Sequence, residues 1–276
     1  MYICPKCAMP LSHSERQLKC VQGHSFDISS KGYVNLILGS GARAHGDNKE
    51  MITARRAFLS LGHYSPIIST VTEIISKKYK KGSDLTILDA GCGEGYYTSA
   101  IKRKLNENGI YADIYGIDVS KDAVAASARS HKDISFSVAS VNSLPFKSEA
   151  FDIVISLFAP LCEKEFYRVL KNGGRLITVS PSENHLLGLK SAIYKTPYKN
   201  PPSTFLPEIL TKEDEISNEW EITLTRNEDI TSLFKMTPYY YKTSPSDREK
   251  ALSLTNLTTA IGFTYCIYSK QQRVGL

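Results

Sequence analysis

Four residues within the first two dozen positions carry metal-binding chemistry. Cys4, Cys7, Cys20 and His24 form a C-x2-C-x12-C-x3-H series, a spacing that can place three thiolates and one imidazole around a single zinc ion. Four protein ligands leave no coordination position open for water or substrate. The expected role is therefore structural, fixing an arm too short to build its own core. A second, unrelated set follows in Asp89-Ala90-Gly91-Cys92-Gly93-Glu94-Gly95. This is a glycine turn able to close over a nucleoside cofactor, because a Cβ on the glycines would block the ligand's approach. Asp118 stands 23 residues after Gly95, where its carboxylate can accept hydrogen bonds from both ribose hydroxyls. Cys92 lies inside the turn with no basic neighbour in sequence to lower its pKa, so it is read as a small filler and not a nucleophile.

These residues need a frame, and the hydrophobic pattern supplies one. The first knuckles run to about Tyr33, with residues 12–16 between them as a short ribbon or loop; His13 fits neither knuckle and is read as surface polar. Gly39 to Lys49, rich in glycine and polar breakers, is the expected hinge. Helices are predicted over 51–61 and 66–81, the second with Ile67, Ile68, Val71, Ile74 and Ile75 as its apolar stripe. Strands are then predicted over 85–90, 112–119, 134–139, 151–158 and 175–180. Helices alternate with them over 96–105, 121–130 and 163–170, and a further helix covers 183–194. A polar, proline-bearing stretch leads to a strand at 221–225, a helix near 228–234 and a last strand at 263–268. That βαβ rhythm implies a parallel sheet with helices on both faces.

Composition narrows the class. A chain of 276 residues with 42% hydrophobic and 22% charged residues suits one large domain and a small appendage. No stretch resembles a signal peptide or reaches the ~18 apolar residues of a membrane span, so a cytoplasmic protein with reduced thiols and no membrane partner is expected. Of the +6 formal charge, residues 1–60 contribute eight Lys/Arg against four Asp/Glu, and the remainder 26 against 24. The bias is compatible with phosphate contacts and does not by itself establish them.

Three details favour S-adenosylmethionine over a dinucleotide at the glycine turn. Asp89 precedes the glycines and can face the positively charged methionine end. The third glycine comes two residues after the second. Beyond the fifth parallel strand, the chain ends in two strands separated by helix. A nicotinamide dehydrogenase and an empty glycine turn are the alternatives.

Together the two motifs resemble the bacterial 23S rRNA (guanine-N1)-methyltransferases. The resemblance is carried by Cys4-Pro5-Lys6-Cys7, Gly32-Tyr33-Val34-Asn35-Leu36, Ala54-Arg55-Arg56-Ala57-Phe58-Leu59, Gly62-His63-Tyr64 and the run Asp89 to Thr98. Leu144-Pro145-Phe146, Ala159-Pro160 and Met236-Thr237-Pro238 add to it, so it spans nearly the whole chain. It implies an α/β fold of the class I S-adenosylmethionine-dependent methyltransferase type, a Rossmann-like doubly wound seven-stranded sheet, with a small N-terminal zinc-binding domain. The expected division is 1–33 for the zinc arm, 34–81 for a hinge and helical connector, and 82–276 for the methyltransferase domain. The implied substrate is a guanine in hairpin 35, domain II, of 23S rRNA. One branch of the family contributes to macrolide resistance, and the shared motifs do not distinguish the branches. Carried over, the zinc ligands are Cys4, Cys7, Cys20 and His24, and the cofactor contacts are Tyr64, Gly93, Glu94 and His185. Phe158 precedes Ala159-Pro160 at the end of the fourth strand and can stack on a flipped guanine. Arg55 and Arg56 can reach phosphates. No DNA partner is expected, and a homodimer is the candidate assembly.

The reaction implied is in-line displacement, with guanine N1 taking the sulfonium methyl. Positioning and desolvation would carry most of the rate. N1 bears a proton at neutral pH, so a base or polarising contact must assist; the sequence identifies no such group. Two other readings are an RNA-binding ribosome-assembly factor on a methyltransferase fold, and a small-molecule methyltransferase. An RNA-gripping arm would make deletion of 1–33 abolish RNA methylation and leave cofactor binding largely intact.

Overall fold

The computed structural model describes residues 1–39, 48–202 and 205–271. Most of the expected hinge, residues 40–47, lies outside them. The chain begins with a three-stranded antiparallel ribbon, β1 (Ser12–Ser14), β2 (Gln17–Lys19) and β3 (Ser25–Asp27). The short strand β4 (Val34–Asn35) and the helices α1 (Lys49–Ser60) and α2 (Pro66–Lys78) follow. Asn48 caps α1 through Oδ1, which accepts from the Met51 amide at 2.9 Å, and Pro66 opens α2 where a missing N–H costs nothing.

The alternating half comprises β5 (Asp84–Ala90), α3 (Tyr96–Glu107), β6 (Tyr111–Asp118), α4 (Lys121–Ser130), β7 (Ser135–Val138), β8 (Phe151–Leu157), α5 (Glu163–Val169) and β9 (Leu170–Pro181). It is followed by α6 (Leu187–Ile193), β10 (Thr211–Leu224), α7 (Asn227–Lys235), α8 (Pro238–Lys242), α9 (Pro245–Ser253) and β11 (Leu257–Ser269). Strands order as β10-β11-β9-β8-β5-β6-β7-β4. The six strands from β9 to β4 run parallel, and β11 and β10 are antiparallel additions. Both faces are covered. Along β5, Leu85 and Ile87 enter one core while Leu88 and Ala90 enter the other, the period-2 pattern of a strand buried on both sides.

Several expectations need correction. Among the described residues the sheet has eight strands, because β4 pairs with β7 through Val34 and Asn35; two residues carry too little pattern to announce a strand. The strand expected over 175–180 begins at Leu170, so residues 171–174 belong to β9, with Gly173 at φ 72°. The helix expected over 183–194 starts only at Leu187, since Leu186 adopts φ 59° and its amide bonds to the Ala260 carbonyl. The strand expected at 221–225 runs from 211: Ile216, Trp220, Ile222 and Leu224 turn inward between charged residues facing out. Two helices, α8 and α9, were not anticipated, although each opens on a proline. The second connector helix stops at Lys78, leaving Lys80 and Lys81 beyond its end.

The metal ribbon is docked on the sheet edge. The Tyr2 ring stacks on Phe146 at 4.9 Å and meets Tyr115 edge-on at 5.8 Å. Ile3 donates its amide to the Pro145 carbonyl, and the Leu36 amide donates to the Val138 carbonyl.

Candidate cofactor and metal sites

Cys4, Cys7, Cys20 and His24 converge, their ligand atoms all within 4.8 Å of one another. Cys4 Sγ and Cys20 Sγ each lie 3.5 Å from His24 Nδ1, and the Cys7 and Cys20 sulfurs are 3.7 Å apart. A tetrahedral zinc with Zn–S near 2.3 Å requires sulfur–sulfur edges of about 3.8 Å. These separations fit the edges of such a tetrahedron. The ribbon's own core is Cys4, Leu11, Leu18, Cys20, Val34 and Leu36, too little to hold the fold without the metal.

The glycine turn joins β5 to α3, beside the switch point where β6 and β8 flank β5. Gly91 has φ 94°, and a Cβ there would collide with that of Ala159. Asp118 ends β6 with one oxygen accepting from the Gly93 amide at 3.0 Å and the other from the Ser120 amide at 2.8 Å. Asp89 is buried. Its Oδ2 accepts from Thr98 Oγ1 at 2.6 Å, and its Oδ1 has no partner. Burial, with a lesser push from Asp118, raises its carboxyl to about 7 despite the Thr98 bond. An orphaned carboxylate oxygen beside a side-chain-free turn fits a cationic nucleoside ligand such as S-adenosylmethionine.

A cavity of about 920 Å³ opens over this corner. Tyr64, Asp89, Gly91, Gly93, Glu94, Asp118, Phe158, His185 and Arg55 all line it. Gly95 does not. Its open face instead lets α3 start close to α4, where a Cβ would meet Ser127 at 2.9 Å. Arg56 is also absent from the lining: its Nε is bound to the Glu94 carboxylate at 2.8 Å, with its side chain 58% exposed. Tyr64 Oη stands 3.2 Å from His185 Nε2, and the Gly262 amide donates to His185 Nδ1 at 3.3 Å. That donor fixes the proton on Nε2, so the imidazole is neutral and donates to the tyrosine. Burial, then the Lys190 charge, pushes its pKa down to about 3. Phe158 has φ 58° and is 44% exposed, its ring 6.2 Å from Tyr97 and 5.3 Å from Phe263. Left-handed backbone in an aromatic residue is strained, and this strain aims the ring at the cavity.

Sequence reasoning missed Thr98, which orders Asp89, and Tyr97, Asn142, Tyr198, Asn200 and Tyr239 on the cavity wall. Tyr97 and Thr98 had a signal, since both stand in the Asp89 to Thr98 run, and so had Tyr239, directly after the Met236-Thr237-Pro238 string. Cys92 is buried behind the turn, where burial lifts its thiol pKa, so it is no nucleophile.

Residues 81–235 match a family model described as a methyltransferase domain, and residues 2–38 match one described as RlmA, N-terminal. The chain is 30% identical to the 23S rRNA (guanine(748)-N(1))-methyltransferase of Streptomyces fradiae, over 95% of each chain. It is 33% identical to the "Putative 23S rRNA (guanine-N(1)-)-methyltransferase YxjB" of Bacillus subtilis, over 91% of this chain and 90% of that one. The chain belongs to this family of 23S rRNA (guanine-N1)-methyltransferases, and its cofactors are S-adenosylmethionine and one zinc ion.

Proposed function

We propose that the enzyme methylates N1 of one guanine in hairpin 35 of 23S rRNA, by direct displacement, in the cytosol. The single observation that carries the reading is the continuous cavity. It takes in both the Asp89–Asp118 cofactor corner and the residues Phe158, Ala159, Pro160 and Tyr239 within one volume of about 920 Å³. The relatives named for guanine N1 of 23S rRNA supply the substrate class. No described helix is long and apolar enough to cross a membrane. In this reading residues 1–33 form the RNA-gripping arm, 34–81 the connector and 82–276 the catalytic domain; a homodimer is the assembly proposed.

S-adenosylmethionine, when bound, supplies an electrophilic methyl group on a sulfonium centre. Asp118, already oriented by two backbone amides, would accept from the ribose hydroxyls. Gly91 and Gly93 leave room for the nucleoside, and Asp89 would face the cationic end. The neutral Tyr64–His185 pair closes the wall without adding a competing positive charge. Phe158 offers a half-exposed ring on which a flipped base can stack. The residues thus bind, orient and exclude water, and orientation alone can supply several orders of magnitude in rate.

The test is primer extension on 23S rRNA methylated in vitro. N1 methylation blocks base pairing, so the polymerase should stop at one hairpin-35 guanine. Methyl transfer to RNA with no stop there would reject the position, and cofactor binding with no transfer to RNA would reject the substrate.

A further inference from the structure

A buried lysine stands behind the cavity wall that Tyr198, Asn200 and Tyr239 form, with no role yet assigned to it. Lys190, on α6, is 1% exposed. Its Nζ donates to Asn200 Oδ1 at 2.6 Å and lies 4.5 and 4.9 Å from the ring centroids of Tyr198 and Tyr239. Among the described residues no carboxylate pairs with it, and burial alone accounts for its lowered pKa. Lysines are almost never fully buried without a counter-charge.

Asn200 is its anchor. The amide nitrogen donates to the carbonyls of Ser182 and His185, both at 2.9 Å. The amide oxygen accepts from Lys190 and from the Tyr239 hydroxyl at 2.7 Å. Both donors and both lone pairs are used, so its orientation is fixed. Tyr239 follows Met236-Thr237-Pro238 at the start of α8. Tyr198, Asn200 and Tyr239 all line the cavity, which puts the positive charge one side chain behind its wall.

We propose that Lys190 is a positioning residue for methyl transfer, its ammonium stabilising the negative charge that spreads over guanine N1 and O6 as the N1 proton leaves. The inference rests on the guanine N1 reading above. The N1–H bond yields its proton to water and keeps its electron pair. That pair forms the N1–CH3 bond as the carbon–sulfur bond breaks with its electrons on sulfur, leaving a neutral thioether and neutral methylguanine. A fixed charge behind the cavity wall does this with little reorganisation during the step. The ionisable groups facing Lys190 are the phenols of Tyr198 and Tyr239 and the imidazole of His185, none of which is a counterion. Across α6, Asp247 and Arg248 on α9 are engaged elsewhere, with Lys250 and the Tyr240 ring.

Single-turnover methylation of 23S rRNA from pH 6 to 9.5 tests this, together with cofactor affinity by calorimetry and the thermal midpoint. In K190M the alkaline-rising limb should move about one pH unit higher, cutting the rate at pH 7 about tenfold, with cofactor affinity within about twofold. If K190M does not fold, N200D, which sets a carboxylate against the ammonium, should shift the limb in the same direction. A variant limb that coincides with the wild type, with losses only in stability or cofactor affinity, would reduce Lys190 to a structural cross-link and overturn the inference. Wild-type enzyme that leaves guanine N1 unmethylated would instead remove the substrate reading, and this inference with it.

Discussion

Asp89 and Asp118 end neighbouring strands, yet their surroundings give them different tasks. Asp118 is held by the Gly93 and Ser120 amides, so replacing it with alanine frees two backbone donors and removes the proposed ribose acceptor. Asp118→Ala should weaken S-adenosylmethionine binding about tenfold or more, read by calorimetry. Asp89 has its pKa raised from 3.8 to about 7 by burial. The folded chain therefore holds a proton that the unfolded chain releases between these values. Stability of the cofactor-free protein should fall as pH rises from about 4 to 7, by up to roughly 4 kcal/mol. A cationic ligand beside Asp89 favours the carboxylate, so binding should tighten from pH 6 to 8 with release of a proton. Asp89→Asn should flatten both dependences. Urea unfolding at pH 5 and 8, and calorimetry in buffers of different ionisation enthalpy, would show whether it does. Both aspartates were legible because their spacing to the glycines is set by local strand and turn geometry. Lys190 was not: nothing local on α6 marks it, and Tyr198, Asn200 and Tyr239 enclose it only in the folded chain.

At the scale of elements, the metal ribbon proves to be tied to the cofactor domain. Tyr2 stacks into the core through Phe146, and Val34 and Asn35 extend the sheet beside β7. The segment leaving β7, Ala139 to Asn142, lines the cavity, so metal and cofactor share a connection. The sequence treats the arm as removable, and the docking changes that expectation: cutting residues 1–33 would strip Tyr2 from its stack as well as remove the proposed RNA contacts. Cys20→Ser is the cleaner perturbation. It should lose the metal by elemental analysis, lower the thermal midpoint by about 5 °C or more, and weaken cofactor binding several-fold. An unchanged cofactor affinity would show that the ribbon is mechanically independent. The βαβ core was legible because alternating apolar runs and glycine turns are local signals. The ribbon's docking, strand β4 and the outer half of β10 were not, because short or solvent-facing strands are defined by their partners.

Across the whole molecule, charge is polarised along the sheet. The strand order ends in β10 on one side and β4 on the other. Strand β10 carries Glu213, Asp214, Glu215, Glu219 and Glu221 against the single base Lys212, a row that discourages pairing of that edge with another copy. The β4 side carries the metal ribbon, where Lys6, Arg16, Lys19 and Lys31 outnumber Glu15 and Asp27 by two, a margin that a zinc held by three thiolates reduces to one. A polyanion should therefore be drawn to the ribbon edge, bringing the hairpin to the arm while the target base enters the cavity. None of this was readable from net charge, since +6 says nothing about sidedness until the strand order is known. Reversing Arg16 and Lys19 to glutamate, both exposed on the ribbon, should weaken hairpin binding at least tenfold at low salt. It should also reduce the slope of log affinity against log salt by about 1.4, at roughly 0.7 per lost single-strand phosphate contact. Glu221→Lys, on the far edge, should leave both quantities near wild type. Filter binding across a salt series separates the cases, since equal effects at the two edges would mean the RNA feels total charge and has no preferred face.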